Sequence, residues 1–431
     1  MDTIFAVSSG QPPAAIAVLR VSGPRARAAA EALAGTLPPL RRAGVRALRD
    51  PSDGALLDRA LLLWFPGPKT ATGEDLVELH VHGGRAVVRA IEACLARQPG
   101  LRPADAGEFT RRALANGRLD LSEAEGLGDL LMAETEAQRR AALANAEGAV
   151  RRHVEGWQER LLMLAARVEA MLDHADEDDV ADDLGALTDI RAGCATLERD
   201  LAAVLEAPPV ERLRDGIRVV LAGPPNSGKS TLLNALADRD AAIVSPIAGT
   251  TRDRVEAAVV RNGVAWLLTD TAGLAETTDD PIERIGIARA EEAMRGADVL
   301  LWLADAPPPV IEGVQLLALH PRADLPGREQ VPVGRFGLSA ATGQGVAELW
   351  SALEAVARRL LPREDALALN RRQRNLLQDA AGALADAALH YDPLLLAEEL
   401  RRARRAFDQV TGRADVEGVL DALFGRFCIG K

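Results

Sequence analysis

Nothing in this chain narrows its possible folds as much as the run Gly223-Pro224-Pro225-Asn226-Ser227-Gly228-Lys229-Ser230. It meets the pattern G-x-x-x-x-G-K-[ST] at every fixed position. It also follows the strand-like Ile217-Arg218-Val219-Val220-Leu221-Ala222 and runs into a helical segment opening Thr231-Leu232-Leu233. Glycines let backbone N–H groups close around phosphate oxygens, and the helix N-terminus adds the positive end of its dipole. Lys229 then places a point charge on the β- and γ-phosphates, and the Ser230 hydroxyl is set to ligand Mg²⁺. Asn226, Ser227, Gly228 and Thr231 complete the expected contact set. A chance Gly-rich turn would lack this strand–loop–helix context.

Lys229 also stands out by composition. The chain has three lysines, Lys69, Lys229 and Lys431, and its remaining positive charge is Arg. Where Arg is so strongly preferred, a surviving Lys reads as required. With 431 residues the chain exceeds one compact core, so two or three domains are expected. Hydrophobic residues at 48% and charged residues at 26% fit an ordinary globular protein, and the net charge of -12 argues against one that coats nucleic acid electrostatically. No apolar run approaches the roughly 20 residues needed to span a bilayer. The N-terminus opens into strand-like Thr3–Val7 rather than a secretory signal, so the expectation is a cytoplasmic protein without a membrane partner. Cys94, Cys194 and Cys428 are too widely spaced to imply a disulfide framework or a zinc cluster.

Two further elements sharpen the reading. Asp270-Thr271-Ala272-Gly273 follows strand-like Trp266–Thr269; Asp270 can hold Mg²⁺ through water and the Gly273 N–H can meet a γ-phosphate. Between the two lies Gly249-Thr250-Thr251-Arg252-Asp253, where a threonine hydroxyl completes the Mg²⁺ shell while the γ-phosphate is present. Such a segment orders with triphosphate and relaxes after hydrolysis. In this order the three elements specify a switch GTPase. Ras-type members carry a water-orienting Gln directly after D-x-x-G, whereas this chain has Leu274. Catalysis therefore needs another positioning group and another positive charge, for which Arg252 stays an open candidate.

The chain divides by pattern. Residues 1–118 mix strands with helices; Ile16–Val21, Leu61–Phe65 and the alternating Asp75–His82 read as strands. From Leu121 to about 172 helical spacing takes over, with Ser122 and Glu125 as a capping box, and another helix is expected over 184–206. The acidic stretch Asp173–Asp183 reads as a solvated loop or helix end rather than a metal site. Residues 211–362 alternate strand and helix, and 363–431 is again helical, with Arg401-Arg402-Ala403-Arg404-Arg405 as its densest basic cluster. The organisation is multidomain α/β: an N-terminal α+β domain (1–118), a helical domain in two parts (119–210 and 363–431), and a Ras-like P-loop G domain (211–362) inserted between them. His80 and His82 share a strand face; without a placed third ligand they read as structural.

These motifs resemble the MnmE/TrmE family of tRNA-modifying GTPases over almost the whole chain. In the G domain the likeness rests on Asn226, Val244-Ser245-Pro246-Ile247-Ala248-Gly249-Thr250-Thr251-Arg252-Asp253, Asp270–Leu274 and Ile282-Glu283-Arg284-Ile285-Gly286. Near the N-terminus it rests on Thr72-Gly73-Glu74-Asp75, His82-Gly83-Gly84, Gly107-Glu108-Phe109-Thr110 and Leu119-Asp120-Leu121, and at the end on Phe427-Cys428-Ile429-Gly430-Lys431. The resemblance implies a K⁺ held between Asn226 and the segment containing Ser245, Ile247 and Thr250, placed where an arginine finger would be. It implies Glu283 as the group that positions water, with Lys229, Asn226 and Thr251 completing the catalytic set, and a homodimer of G domains closing over the nucleotide. Ala248, Gly249, Ala272 and Gly273 join the nucleotide contacts. It further implies an N-terminal domain that dimerises and binds a tetrahydrofolate derivative (5,10-methylene- or 5-formyl-tetrahydrofolate) through Arg20, Glu78, Arg118 and Lys431. The implied partner is an FAD-dependent MnmG-type protein forming a heterotetramer, and the implied activity adds an aminomethyl-type group to C5 of the tRNA wobble uridine. Cys428 reads equally as a reactive thiol or a buried one.

The chain also departs from the family pattern. Where the family reads guanine with N-K-x-D, the corresponding residues are Pro321-Arg322-Ala323-Asp324, followed later by a matching Ser339-Ala340-Ala341. Pro offers neither a polar side chain nor an N–H. The expectation is guanine preference kept through Asp324 at weakened affinity for GTP and GDP. Arg118 replaces a usual Lys, Ser9–Ala15 replaces a glycine- and arginine-containing turn, and Ala71 stands where an aromatic usually precedes Thr72. The alternative reading is a regulatory GTPase that binds ribosomal RNA or an assembly intermediate without modification chemistry; a G domain decayed to a scaffold is a third.

Overall fold

The computed structural model describes residues 2–173, 180–237, 255–271, 281–363, 366–414, 420, 423–425, 427 and 429–430; for 180–184, 255 and 281–287 it describes the backbone alone. The chain forms two compact units. One comprises Met1–Gly128, Asn145–Met163 and Arg401–Lys431; the other comprises Asp129–Ala144 and Leu164–Leu400.

In the first unit the order is β1 (Thr3–Val7), β2 (Ile16–Ser22), α1 (Ala26–Ala34), β3 (Gly44–Arg49), β4 (Leu56–Phe65), β5 (Leu76–His82), α2 (Arg85–Ala96), β6 (Leu101–Pro103) and α3 (Glu108–Ala115). The strands form one sheet in the order β3-β4-β5-β2-β1-β6, antiparallel except for the β1–β6 pair. Its period-two pattern sorts the side chains. Leu19, Val21, Leu62, Val77, Leu79 and Val81 pack on one face against Leu33 of α1 and Ile91 and Leu95 of α2. Each such aliphatic side chain contributes roughly 1.5–3 kcal/mol on burial. On the other face Ile4, Ala6, Ala104 and Phe109 make a smaller cluster, and Arg20, Glu78 and His80 share that face by alternation.

Next come α4 (Leu121–Met132), α5 (Glu136–Ala146), α6 (Ala149–Asp173), α7 (Val180–Leu205) and α8 (Glu211–Arg214). The box at the start of α4 is not the expected Ser122/Glu125 pair. Asp120 Oδ1 accepts from the Glu123 N–H and Glu123 Oε2 accepts from the Asp120 N–H, both at 2.8 Å. The helix begins at Leu121, so its cap is the residue before it, and Asp caps as well as Ser. Ser122 lies inside the first turn and donates to Asp120 at 2.7 Å. Most of the acidic stretch, 174–179, lies outside the described residues.

The second unit contains β7 (Ile217–Ala222), α9 (Lys229–Ala237), β8 (Val255–Arg261), β9 (Val264–Asp270), α10 (Pro281–Arg295), β10 (Val299–Trp302), β11 (Gln315–Pro321), β12 (Phe336–Leu338) and α11 (Val346–Leu360). Their sheet runs β12-β11-β10-β7-β9-β8, parallel except for the edge strand β8. A parallel strand is covered on both faces. Accordingly Val219 and Leu221 of β7 join the core with Leu232 and Leu236 of α9, while Val220 and Ala222 meet Met294 and Ala297 on the other side. Trp266 and Trp350 meet edge to face at 5.4 Å inside the first of these cores. Finally α12 (Arg371–Leu389) packs lengthwise on α7, and α13 (Pro393–Thr411) follows. Asn370 and Gln373 form a reciprocal capping box on α12.

Candidate functional site

The central strand β7 lies between β10 and β9, where the order of the parallel strands reverses, so its carboxyl end opens the crevice in which such sheets take ligands. The run 223–230 starts there. Gly223 has φ +155°, and a Cβ on it would stand 3.0 Å from the Leu303 carbonyl oxygen and 3.1 Å from Ser227 Oγ, so this turn requires glycine. Asn226 is left-handed at φ +59° and exposed. Lys229 begins α9 and is buried; its Nζ donates to the carbonyls of Gly223 at 3.1 Å and Pro224 at 3.0 Å. Burial pushes this ammonium's pKa down, with the Asp270 carboxylate opposing the shift.

Asp270 ends β9 beside β7, and its Oδ2 accepts from the Ser230 hydroxyl. Its other oxygen, Oδ1, is buried without a partner, as is Ser227 Oγ. Buried polar atoms are ordinarily satisfied, so two orphans on one rim mark a place built for a ligand. Ser230 and Asp270 are hard oxygen donors of the kind Mg²⁺ takes. Thr271 serves the sheet: its N–H and hydroxyl both donate to Leu221 O, at 3.2 and 2.8 Å.

The same edge carries the residues expected to read the base. Pro321 is the last residue of β11, and Asp324 stands exposed in the loop after it. The loop is tied inward by the Ala323 N–H to Leu338 O at 3.1 Å, and Arg322, left-handed at φ +60°, donates to the Asn226 carbonyl of the phosphate loop. Ser339 follows β12 and is buried; its Oγ accepts from the Thr342 N–H at 3.2 Å, beside Ala340 and Ala341. Sequence reasoning foresaw the positions of Asp324 and Ser339 but not the Arg322 contact. That contact depends on a left-handed backbone that nothing in the local sequence announces. Ser245, Ile247, Ala248, Gly249, Thr250, Thr251, Arg252, Ala272, Gly273, Leu274, Cys428 and Lys431 lie outside the described residues, as does the side chain of Glu283, whose backbone is in α10.

In the first unit Arg20 and Glu78 face each other in register across β2 and β5 and form an ion pair at 2.8 Å, with the Arg20 guanidinium 5.9 Å from the Phe109 ring centre. Burial raises the Glu78 pKa, but the hydrogen bonds and charges of Arg20 and His80 together outweigh it and hold the carboxyl below its ordinary value. Arg118 lies apart from that pair in its contacts, its Nε donating to Thr70 O at 3.1 Å. His80 and His82 turn to different carboxylates, Glu78 at 3.4 Å and Asp58 at 2.7 Å. Among the described residues no cluster of three or more His, Cys, Asp or Glu could hold a metal ion.

The Thr72–Asp75 and Gly107–Thr110 motifs meet through Arg112. Glu74 and Glu108 both grip Arg112, at 3.1 and 2.9 Å, and Glu74 also accepts from Ser22 at 2.8 Å. The C-terminal motif packs back on this unit. Ile429 bridges to Ala106, Phe424 covers Gly107, and Gly430, at φ +95°, leaves no room for a Cβ against Val7 O.

A phosphate cradle at the switch point of a parallel sheet, with an Asp-Thr pair ending the neighbouring strand, defines a P-loop nucleotide-binding protein. Two family profiles match the chain: "MnmE helical domain" over residues 121–428 and "GTP-binding protein TrmE N-terminus" over residues 3–118. Proteins described as tRNA modification GTPase MnmE align along its length. That of Erythrobacter litoralis is 56% identical over 433 residues, covering 100% of both chains. That of Novosphingobium aromaticivorans is 54% identical over 437 residues, covering 100% of both. That of Rhizorhabdus wittichii is 56% identical, covering 100% of this chain and 97% of the relative. Aquifex aeolicus Era, a solved structure, is 24% identical over 41% of this chain and 69% of its own, at a TM-score of 0.27, too low to bear on the assignment. The chain belongs to the MnmE family of tRNA modification GTPases. Among the described residues no helix is long and apolar enough to cross a membrane.

Proposed function

We propose that this chain is a cytoplasmic, K⁺-dependent GTP hydrolase acting in tRNA modification. As a homodimer, with an FAD-dependent MnmG-type partner, it installs an aminomethyl-type group at C5 of the wobble uridine from a tetrahydrofolate donor. The observation that carries the hydrolase reading is the pair of orphaned buried oxygens, Asp270 Oδ1 and Ser227 Oγ, beside Lys229 at the carboxyl edge of β7 and β9.

In this reading Lys229 leaves the Gly223 and Pro224 carbonyls to meet the β- and γ-phosphates of GTP. Ser230, Thr251 and Asp270 would hold Mg²⁺, which would supply charge neutralisation on the phosphate oxygens. Glu283 orients the water that attacks the γ-phosphorus as the bond to the β,γ-bridging oxygen breaks, releasing phosphate and GDP. Leu274 leaves that task to Glu283. Asn226, with Ser245, Ile247 and Thr250, would hold K⁺, which would supply the charge of an arginine finger. The exposed Asn226 amide oxygen is an uncharged donor of the kind K⁺ takes. Asp324 accepts from the N–H groups of guanine, with Ser339, Ala340 and Ala341 around the base. Arg20, Glu78, Arg118 and Lys431 serve the folate, supported by the Arg20–Glu78 pair beside Phe109.

Hydrolysis of GTP and ATP by the purified chain, in K⁺ against Na⁺ and across protein concentration, tests the reading. GTP-specific turnover that needs K⁺ and rises with concentration is expected. Equal rates in both salts would remove the Asn226 mechanism. Wobble-uridine modification that survives deletion of the gene, read by nucleoside mass spectrometry, would instead favour a regulatory GTPase acting on ribosomal RNA.

A further inference from the structure

Position 321 poses a problem at the base end of the site. The loop carrying Asp324 must hold its place to within tenths of an ångström if its carboxylate is to meet a purine edge. Proline at the strand end offers only its carbonyl for that purpose. The structure engages that carbonyl from an unexpected direction. Arg328 Nε donates to Pro321 O at 3.0 Å. The same guanidinium forks onto Asp305, in the segment after β10, with Nη1 to Oδ2 and Nη2 to Oδ1 both at 3.2 Å. Fork geometry of this kind fixes orientation as well as distance.

A buried histidine completes the clamp. His320 Nε2 lies 3.0 Å from the Arg328 carbonyl oxygen and its Nδ1 lies 3.3 Å from Arg328 Nη2. A carbonyl can only accept and a guanidinium can only donate, which assigns the proton to Nε2 and leaves Nδ1 as acceptor. Arg335 reinforces the same junction, donating to Leu319 O at 3.1 Å and Asp305 O at 2.9 Å. Between Pro321 and Arg328 the chain makes two short turns, Leu325 N–H to Arg322 O at 3.1 Å and Arg328 N–H to Leu325 O at 3.0 Å. Asp324 is therefore held in a closed loop with Arg328 at one foot and the Arg322 contact to Asn226 at the other.

We propose that Arg328 is a positioning residue for base recognition. By clamping the Pro321 carbonyl to Asp305 and His320, it fixes the Asp324 loop, a task that the side chain at 321 cannot perform. The inference rests on the reading of Asp324 as the guanine acceptor. The Arg328 guanidinium is taken up by Pro321, Asp305 and His320, so it acts through the loop, and its loss alters which base is preferred while the phosphate contacts stay as they are.

The test uses the full chain and measures Kd for GDP, IDP and ADP by displacement of a fluorescent nucleotide. IDP lacks the 2-amino group of guanine. The variants are Arg328→Ala, Asp305→Ala, Asp324→Ala, and Pro321→Asn added to Arg328→Ala. Expected is a fall of about tenfold in the GDP-over-IDP preference for Arg328→Ala and for Asp305→Ala. ADP affinity should stay within about twofold, and Pro321→Asn should recover part of the preference. Asp305 is largely exposed, so its variant carries the test if Arg328→Ala fails to fold. An unchanged GDP-over-IDP ratio in both variants overturns the proposal, as does an equal loss for all three nucleotides. A guanine preference that survives Asp324→Ala shows a different failure, that of the reading beneath it.

Discussion

In the first unit, Glu74 in the loop before β5 and Glu108 at the start of α3 are both taken up by Arg112; in the second, Asp270 at the end of β9 keeps a buried carboxylate oxygen with no partner. All three acids sit in motifs that carry the family resemblance, and by sequence alone they look equivalent. Their surroundings separate them. A carboxylate whose oxygens are bonded within the protein contributes to folding and has little capacity left for a ligand. One held in place with an oxygen unsatisfied bears a desolvation cost that a ligand relieves. Among these three acids the state of the polar atoms, not the residue type, makes the division; Asp120, which caps α4 through Oδ1 and keeps Oδ2 buried without a partner, shows that a single orphan oxygen does not by itself make a site.

Removing a guanidinium from α3 of the first unit and an ammonium from α9 of the second should give opposite signatures. Arg112→Ala removes the guanidinium that Glu74 and Glu108 share, leaving Glu108 to Arg102 and Glu74 to the Ser22 hydroxyl, and breaking such a buried pair costs about 3–5 kcal/mol. Denaturant unfolding followed through the first unit should show that loss while GDP affinity holds. If affinity falls and stability does not, the comparison breaks. Lys229→Ala should do the reverse, lowering kcat/KM for GTP by about 10²- to 10³-fold with the thermal transition shifted by no more than a few degrees. Steady-state kinetics beside a melting curve decides it.

A smaller effect sharpens the contrast through pH. Burial raises the Glu108 pKa, but hydrogen bonds from Arg102, the Asp105 N–H and Arg112 hold it below its ordinary value. Because its folded pKa is depressed, its contribution is complete above the unfolded value and is lost as pH falls through the folded one. Urea midpoints should therefore drop below about pH 4.5. The drop should be smaller in Glu108→Gln, since Glu78 and other depressed carboxylates still contribute to it, and an equal drop in parent and variant would contradict the network's role.

Much of the architecture was legible because local physics sets it. The strand at 217–222 was readable to the residue, since a β-branched and aliphatic run interrupted only by Arg218 before a glycine loop can do little else. The α4 cap was misplaced by two residues because Asp120/Glu123 and Ser122/Glu125 satisfy the same spacing rule, and only the backbone's departure into helix at Leu121 chooses between them. The base end was legible in Asp324 and illegible in its support. Arg328 is an ordinary surface arginine by sequence, and its carbonyl acceptor at Pro321, its carboxylate at Asp305 and its histidine at 320 meet it through the order of β10 and β11.

The sequence by itself determined the phosphate cradle, the alternation that gives each sheet its buried face, and the family, because these depend on residues adjacent in the chain or spaced by the period of a helix or strand. Tertiary structure alone decided which motif acids were bound and which left open, that Gly430 closes against Val7, and that an arginine holds what a proline cannot. Those outcomes depend on which polar atoms come within hydrogen-bond reach, and reach is set by strand order and loop path rather than by spacing along the chain.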